Sequence, residues 1–174
     1  MILNRQCEGI ELILSDVDGV MTDGGLIFDN QGNESKQFHI RDGLAVKLWQ
    51  QAGYKFGIIT GRRSNIVQRR AAELEIELIR QGNEEKLSVV QEILDELNLG
   101  PEQTCYLGDD LLDLPSMKHV GLAVAVADAC SEVREAAHLV TKAPGGHGAV
   151  REAIELILKA KGQWKELITK YTNP

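Results

Sequence analysis

Residues 10–23 read IELILSDVDGVMTD, and this stretch decides the fold. Its apolar run, Ile10 to Leu14, is short and ends abruptly in Asp16 and Asp18. A short apolar run bounded by polar residues marks a buried strand. The same sign recurs along the chain and predicts strands at residues 56–60, 77–79, 105–107, 121–126 and 139–140. Helices are expected between them, at 44–51, from an N-cap at Ser64 to residue 74, and at 84–97, 111–118 and 149–160. Leu87, Val90, Ile93, Leu94 and Leu97 fall on one helical face, and Gly53 stands where the helix at 44–51 would stop. Residues 26–28 and 37–40 flank Asp29-Asn30-Gln31-Gly32-Asn33, whose turn chemistry predicts a small β-hairpin. Strands alternating with helices give an α/β fold: a doubly wound, mostly parallel sheet with helices on both faces.

The 174 residues are 43% hydrophobic and 26% charged, the balance of a globular chain. A chain of this length buries about 70% of its surface, enough for one core. A single domain over residues 1–174 is therefore expected, with a hairpin at about 24–40 and a C-terminal tail at about 162–174. The net charge of −7 argues against nucleic acid or anionic membranes as partners. No apolar run reaches the roughly 20 residues of a membrane span, and the first residues lack the apolar region of a cleavable signal. The expectation is a cytoplasmic protein. Cys7, Cys105 and Cys130 are widely spaced and suggest neither a disulfide framework nor a zinc site.

In doubly wound sheets, ligands bind beyond the carboxyl ends of the strands. Asp16 and Asp18 follow the first strand, Thr60 ends the second, and Asp109 and Asp110 follow the strand at 105–107 through Gly108. Four carboxylates and a hydroxyl are thus expected at one sheet edge. Gathered carboxylates repel unless a cation neutralises them. Hard oxygen ligands suit Mg2+, which keeps waters and bridges to phosphate. Lys86 is expected in the first turn of a helix, where a cation opposes the dipole, and that misfit suggests a ligand role. Ile66, Arg70 and Leu74 are spaced by four, so Arg70 shares an apolar face and needs a carboxylate or phosphate partner.

Asp16 to Asp23, then Ile59-Thr60-Gly61-Arg62, then Lys86, then Gly108-Asp109-Asp110-Leu111-Leu112-Asp113 resemble, in order and spacing, the four motifs of the haloacid dehalogenase superfamily. A closer resemblance, to the capless phosphatases of 3-deoxy-D-manno-octulosonate 8-phosphate, is carried by residues 39–43, 81–83 and 145–152. The resemblance implies that Asp16 is the nucleophile and Asp18 the general acid and base, with Thr60 and Lys86 holding phosphate. It implies Mg2+ bound by Asp16, Asp109 and the main-chain carbonyl of Asp18, with Asp113 supporting from behind. It further implies a substrate surface of Asp18, His39, Ile40, Arg41, Asp42, Gly43, Lys47, Arg62, Arg70 and Lys86. Lys47 stands where relatives carry arginine, keeping charge but losing a planar fork. His147 also stands where arginine is common.

The expected reaction is hydrolysis of a sugar-acid phosphate through an aspartyl-phosphate, with the eight-carbon 8-phosphate ahead of a nine-carbon sialic acid 9-phosphate. A weakly active phosphatase-like assembly module and a phospho-receiver domain are the readings from other classes. The resemblance also bears on assembly. Only 37 residues, 23–59, separate Thr22 from Thr60, room for a hairpin and one helix but not for a cap domain. Capless relatives cover their sites by forming homotetramers through such hairpins. The Leu26-Ile27-Phe28 strand would otherwise be an exposed apolar edge. The Gly-rich segment 143–148 is expected to approach the site, and the C-terminal tail to reach a neighbouring subunit.

Overall fold

A computed structural model describes residues 2–172. In chain order the elements are α1 (Ile2–Glu8), β1 (Leu12–Ser15), β2 (Ile27–Phe28), β3 (Glu34–Ser35), α2 (Ile40–Gln51), β4 (Lys55–Thr60), α3 (Asn65–Glu73) and β5 (Leu78–Gln81). They continue with α4 (Lys86–Leu97), β6 (Thr104–Gly108), α5 (Leu114–His119), β7 (Leu122–Ala125), α6 (Ser131–Ala136), β8 (Leu139–Val140), α7 (Ala149–Ala160) and α8 (Trp164–Thr172). Six strands form one sheet in the order β5-β4-β1-β6-β7-β8, with every pairing parallel. This is the expected doubly wound α/β architecture. The order reverses direction at β1, whose neighbours are β4 and β6, so the ends of these three strands make the crevice where such folds bind ligands.

Burial explains why these strands carry so little polarity. All four residues of β1, and all five of β6, are buried. Helices α1 and α2 pack against α7, while α4 packs against α5 and α5 against α6. Each buried Leu or Ile of the sheet contributes about 1.5–3 kcal/mol. The predicted amphipathic helix appears as α4, with Val90, Ile93 and Leu94 in the core. Helix α7 spans the residues expected of it. The three cysteines are free thiols.

Several local expectations change. The second hairpin strand is Glu34–Ser35, not 37–40, because the Asp29 carboxylate closes the turn early. It accepts hydrogen bonds from the Gln31 amide (2.8 Å) and from the Asn33 amide and side chain (2.9 and 2.7 Å). The pairs are then Ile27 with Ser35 and Phe28 with Glu34. Helix α2, expected from residue 44, starts at Ile40, so residues 40–43 form its first turn after an extended His39. The N-terminal helix α1 was not expected. It has no long apolar stripe and is held by tertiary contact, with Cys7 fully buried. Ser64 precedes α3 but does not cap it, because its hydroxyl donates to Glu34 Oε2 (3.0 Å). The tail forms α8, and residues 173–174 lie outside the described residues.

Candidate active site

Strand β1 delivers Asp16 to the crevice. Its Oδ1 accepts the Val17 amide (2.7 Å), and its Oδ2 lies 2.8 Å from Lys86 Nζ. The chain then turns. The carbonyl of Val17 accepts the amides of Val20, Met21 and Thr22 within 3.2 Å, and Thr22 Oγ1 accepts those of Gly19 and Gly24. Gly19 adopts φ +92°, in the region that favours glycine. A Cβ there would stand 2.0 Å from Asp109 Oδ2, so any other residue would push Asp109 away from Asp16.

Lys86, at the first position of α4, is 3% exposed and bridges Asp16 to Asp113 (2.7 Å). Its burial favours the neutral amine, but the two carboxylates outweigh this and hold its pKa above the ordinary lysine value. Asp113 closes the rear of the site. Its Oδ1 accepts from Lys86 and the Tyr106 hydroxyl (2.9 Å), its Oδ2 from the amides of Asp109 and Asp110 (3.0 and 3.3 Å). With all four contacts filled, Asp113 is placed to orient Lys86 and the 109–110 backbone.

One oxygen from each of Asp16, Asp109 and Asp113 lies within 4.8 Å of the others. Asp109 Oδ1 is buried without a hydrogen-bond partner among the described residues. Burial, reinforced by the charges of Asp16 and Asp113, pushes the Asp109 carboxyl up to about 8. Burial and Asp113, opposed by Lys86, bring Asp16 to about 6. One ammonium thus serves three clustered carboxylates. Hard anionic oxygens short of positive charge fit a divalent cation such as Mg2+.

The other sequence-predicted residues divide into two groups. Thr60 is buried at the end of β4, and its Oγ1 accepts the Arg62 amide (3.3 Å), which leaves the hydroxyl proton free for an anion. Asp18 is not one of the three clustered carboxylates; it pairs with Lys36 of the hairpin, with Arg62 Nε 3.8 Å from its other oxygen. Asp110 does not join the group expected of it. It is exposed and caps a short 3-10 turn by accepting the Leu111 amide (2.8 Å). Asp42 is buried and ties α2 to α7 by accepting the Arg151 amide (2.7 Å), and burial raises its pKa. His39 and Arg41 line a cleft of about 630 Å³ with His147 and Arg151, while Ile40 is 82% exposed. Lys47 lies half-buried one turn further along α2.

Arg70 packs against Gly43, faces the Phe38 ring at 5.6 Å, and reaches Glu73 (3.3 Å). Its Nε is buried and has no hydrogen-bond partner among the described residues. Helix α3 buries Val67 and Ala71, so Arg70 flanks the apolar face. Segment 143–148 does approach the site: the Gly146 amide donates to the Val20 carbonyl (2.9 Å), and a Cβ on Gly145 would strike the Gly19 carbonyl. Sequence reasoning missed Lys36, Glu34 and Tyr106. The two charged residues sit in a polar hairpin segment without motif spacing, and Tyr106 reads as an ordinary strand aromatic.

Comparison with known proteins places this geometry. Residues 75–154 match the family of haloacid dehalogenase-like hydrolases. The chain is 45% identical over 157 residues to the 3-deoxy-D-manno-octulosonate 8-phosphate phosphatase of Yersinia pestis, covering 90% of this chain and 84% of that protein. A crystal structure of the corresponding phosphatase from Moraxella catarrhalis, in complex with magnesium, phosphate and a KDO molecule, superposes with TM-score 0.96 at 37% identity and 97% coverage of both chains. The cobalt-bound Haemophilus influenzae enzyme superposes with TM-score 0.89 at 40% identity, covering 91% of this chain and 93% of that one. The chain therefore belongs to the haloacid dehalogenase superfamily, within the family of 3-deoxy-D-manno-octulosonate 8-phosphate phosphatases.

Proposed function

We propose that this protein is a Mg2+-dependent phosphatase that hydrolyses 3-deoxy-D-manno-octulosonate 8-phosphate to the free sugar acid and phosphate. The observation that carries this reading is the buried Asp16–Lys86 pair beside the unpartnered Asp109 oxygen, in a chain whose relatives carry that activity. Mg2+, when bound by Asp16, Asp109 and the Asp18 main-chain carbonyl, neutralises carboxylate and phosphate oxygens together. Asp16 is the nucleophile. Its oxygen bonds to phosphorus as the ester P–O bond breaks, and Asp18 gives its proton to the departing sugar oxygen. Asp18, now a carboxylate, takes a proton from the water that attacks the aspartyl-phosphate, and phosphate leaves with Asp16 restored. Lys86 and the Thr60 hydroxyl hold the phosphate oxygens through charge-assisted hydrogen bonds. Arg62, Arg70, Lys47 and residues 39–43 supply the surface for the sugar and its carboxylate.

The whole of residues 1–174 acts as one domain, and further copies of the chain complete it. Leu26, Ile27 and Phe28 are each more than half exposed on the hairpin, and Ile40 and Leu44 are exposed on α2. An apolar strand of this kind is stable in water when covered, and a homotetramer built on the hairpins covers it. The C-terminal segment then reaches a neighbouring subunit. The three free thiols suit the reducing cytoplasm, where the enzyme would work.

The test is a panel of sugar-acid phosphates assayed with and without Mg2+. The eight-carbon 8-phosphate should be turned over fastest, and chelation should abolish turnover. Faster hydrolysis of a nine-carbon 9-phosphate, or chelator-resistant activity, would overturn the assignment.

A further inference from the structure

We propose that Lys36 of the hairpin is a positioning residue for the Asp18 carboxyl group, so that the hairpin forms part of the proton-transfer machinery. The inference rests on the phosphatase reading above. Lysine is almost never fully buried unless paired, yet the Lys36 side chain is 1% exposed. Its ammonium contacts Asp18 Oδ1 and lies 3.3 Å from Glu34 Oε1. Glu34 also accepts from Arg62 Nη2 (2.8 Å) and Ser64 Oγ (3.0 Å), and Arg62 Nε returns to Asp18 Oδ2 at 3.8 Å. Two cations and two carboxylates thus close a ring through the catalytic turn, the hairpin and the residues leading into α3. The two carboxylate partners offset the cost of burying the Lys36 ammonium.

Each of the two motif aspartates has its own lysine. Lys86 holds Asp16 from the sheet side, and Lys36 holds Asp18 from the hairpin side. A general acid must sit within hydrogen-bond reach of the atom it protonates. Lys36 gives the carboxyl group one orientation and occupies Oδ1. Oδ2, to which Arg62 at 3.8 Å makes no hydrogen bond, is the oxygen left for proton transfer. During transfer the ester P–O bond breaks, the Oδ2 proton passes to the leaving sugar oxygen, and Lys36 keeps all its own protons. An alkyl ester needs that proton, whereas p-nitrophenolate leaves without one.

The experiment compares wild type, Lys36→Gln and Lys36→Arg on 3-deoxy-D-manno-octulosonate 8-phosphate and on p-nitrophenyl phosphate. For Lys36→Gln, kcat on the sugar ester should fall about tenfold or more beyond any fall on the aryl ester. The Mg2+ concentration for half-maximal rate should stay within about twofold, and Lys36→Arg should recover most of the loss. If Lys36→Gln does not fold, Glu34→Gln removes the anchor of Lys36 and should show the same selective loss on a smaller scale. Equal losses on both esters, or none, would overturn the positioning role. Wild-type enzyme inactive on both esters would sink the phosphatase reading instead, and this inference with it.

Discussion

The two aspartates of the first motif lie two residues apart and live in different surroundings. Asp16 is 7% exposed at the end of a buried strand, locked by its neighbour's amide and by a lysine from the core-facing helix α4. Asp18 has left the sheet and meets a lysine from a two-stranded hairpin whose apolar strand stands in solvent. In the proposed mechanism the phosphate end is therefore built by the domain core, and the sugar end by surface elements. That proposal puts the chemistry common to phosphoesters on the buried part and discrimination among sugars on surface segments.

Perturbing the core end should have the largest effects. Lys86→Met leaves Asp16 and Asp113 facing each other with no buried cation. We expect kcat to fall about 10² to 10³-fold. The metal-free protein should lose about 3 kcal/mol in denaturant titrations, a loss that saturating Mg2+ reduces. On the surface side, Phe28→Asp places charge on the exposed hairpin strand. It should dissociate the proposed tetramer in sedimentation experiments and lower kcat/KM about tenfold, with Mg2+ dependence unchanged. Arg70→Ala should act more narrowly, raising KM for the sugar-acid phosphate about fivefold and leaving KM for a small aryl phosphate alone. An equal rise on both would make Arg70 a structural arginine.

The smallest effect is on stability and pH. Without metal, the folded protein holds protons on Asp109 to about 8 and on Asp16 to about 6, where the unfolded chain has released them. Raised folded-state pKa values give stability that is complete below about pH 4 and is lost as pH rises through 6 and 8. For these groups, the melting temperature of metal-free protein should drift down across that window. Mg2+ replaces the protons, so the increment it adds should grow with pH. An increment that does not change between pH 5 and 8.5 would remove these carboxylates from the cation site.

The same contrast explains how much the sequence reveals. The sheet, its order of elements and the positions of Asp16, Thr60, Lys86 and Asp109 are legible because each follows a buried strand or opens a helix, where periodicity and strand ends are strict. Asp110 misleads because a helix-type cap competes for the same side chain that a metal would use. The pairing of the hairpin depends on a single Asp29 carboxylate folding over its own turn, which composition does not disclose. Lys36 and Glu34 are hidden because their partners, Asp18, Arg62 and Ser64, are brought together only by the tertiary fold. Arg70 is half legible: its spacing shows that it flanks an apolar face, but its buried, unpartnered Nε appears only in three dimensions.

The central claim is that Asp16 itself takes the phosphoryl group. Enzyme quenched during turnover and reduced with borohydride converts an aspartyl-phosphate to homoserine, which peptide mass spectrometry locates by residue. The account predicts the conversion at position 16 in wild type, in a substrate- and Mg2+-dependent manner, and its absence in a folded, inactive Asp16→Asn variant. Conversion at another carboxylate, or an Asp16→Asn enzyme that turns over at near wild-type rate, would contradict it.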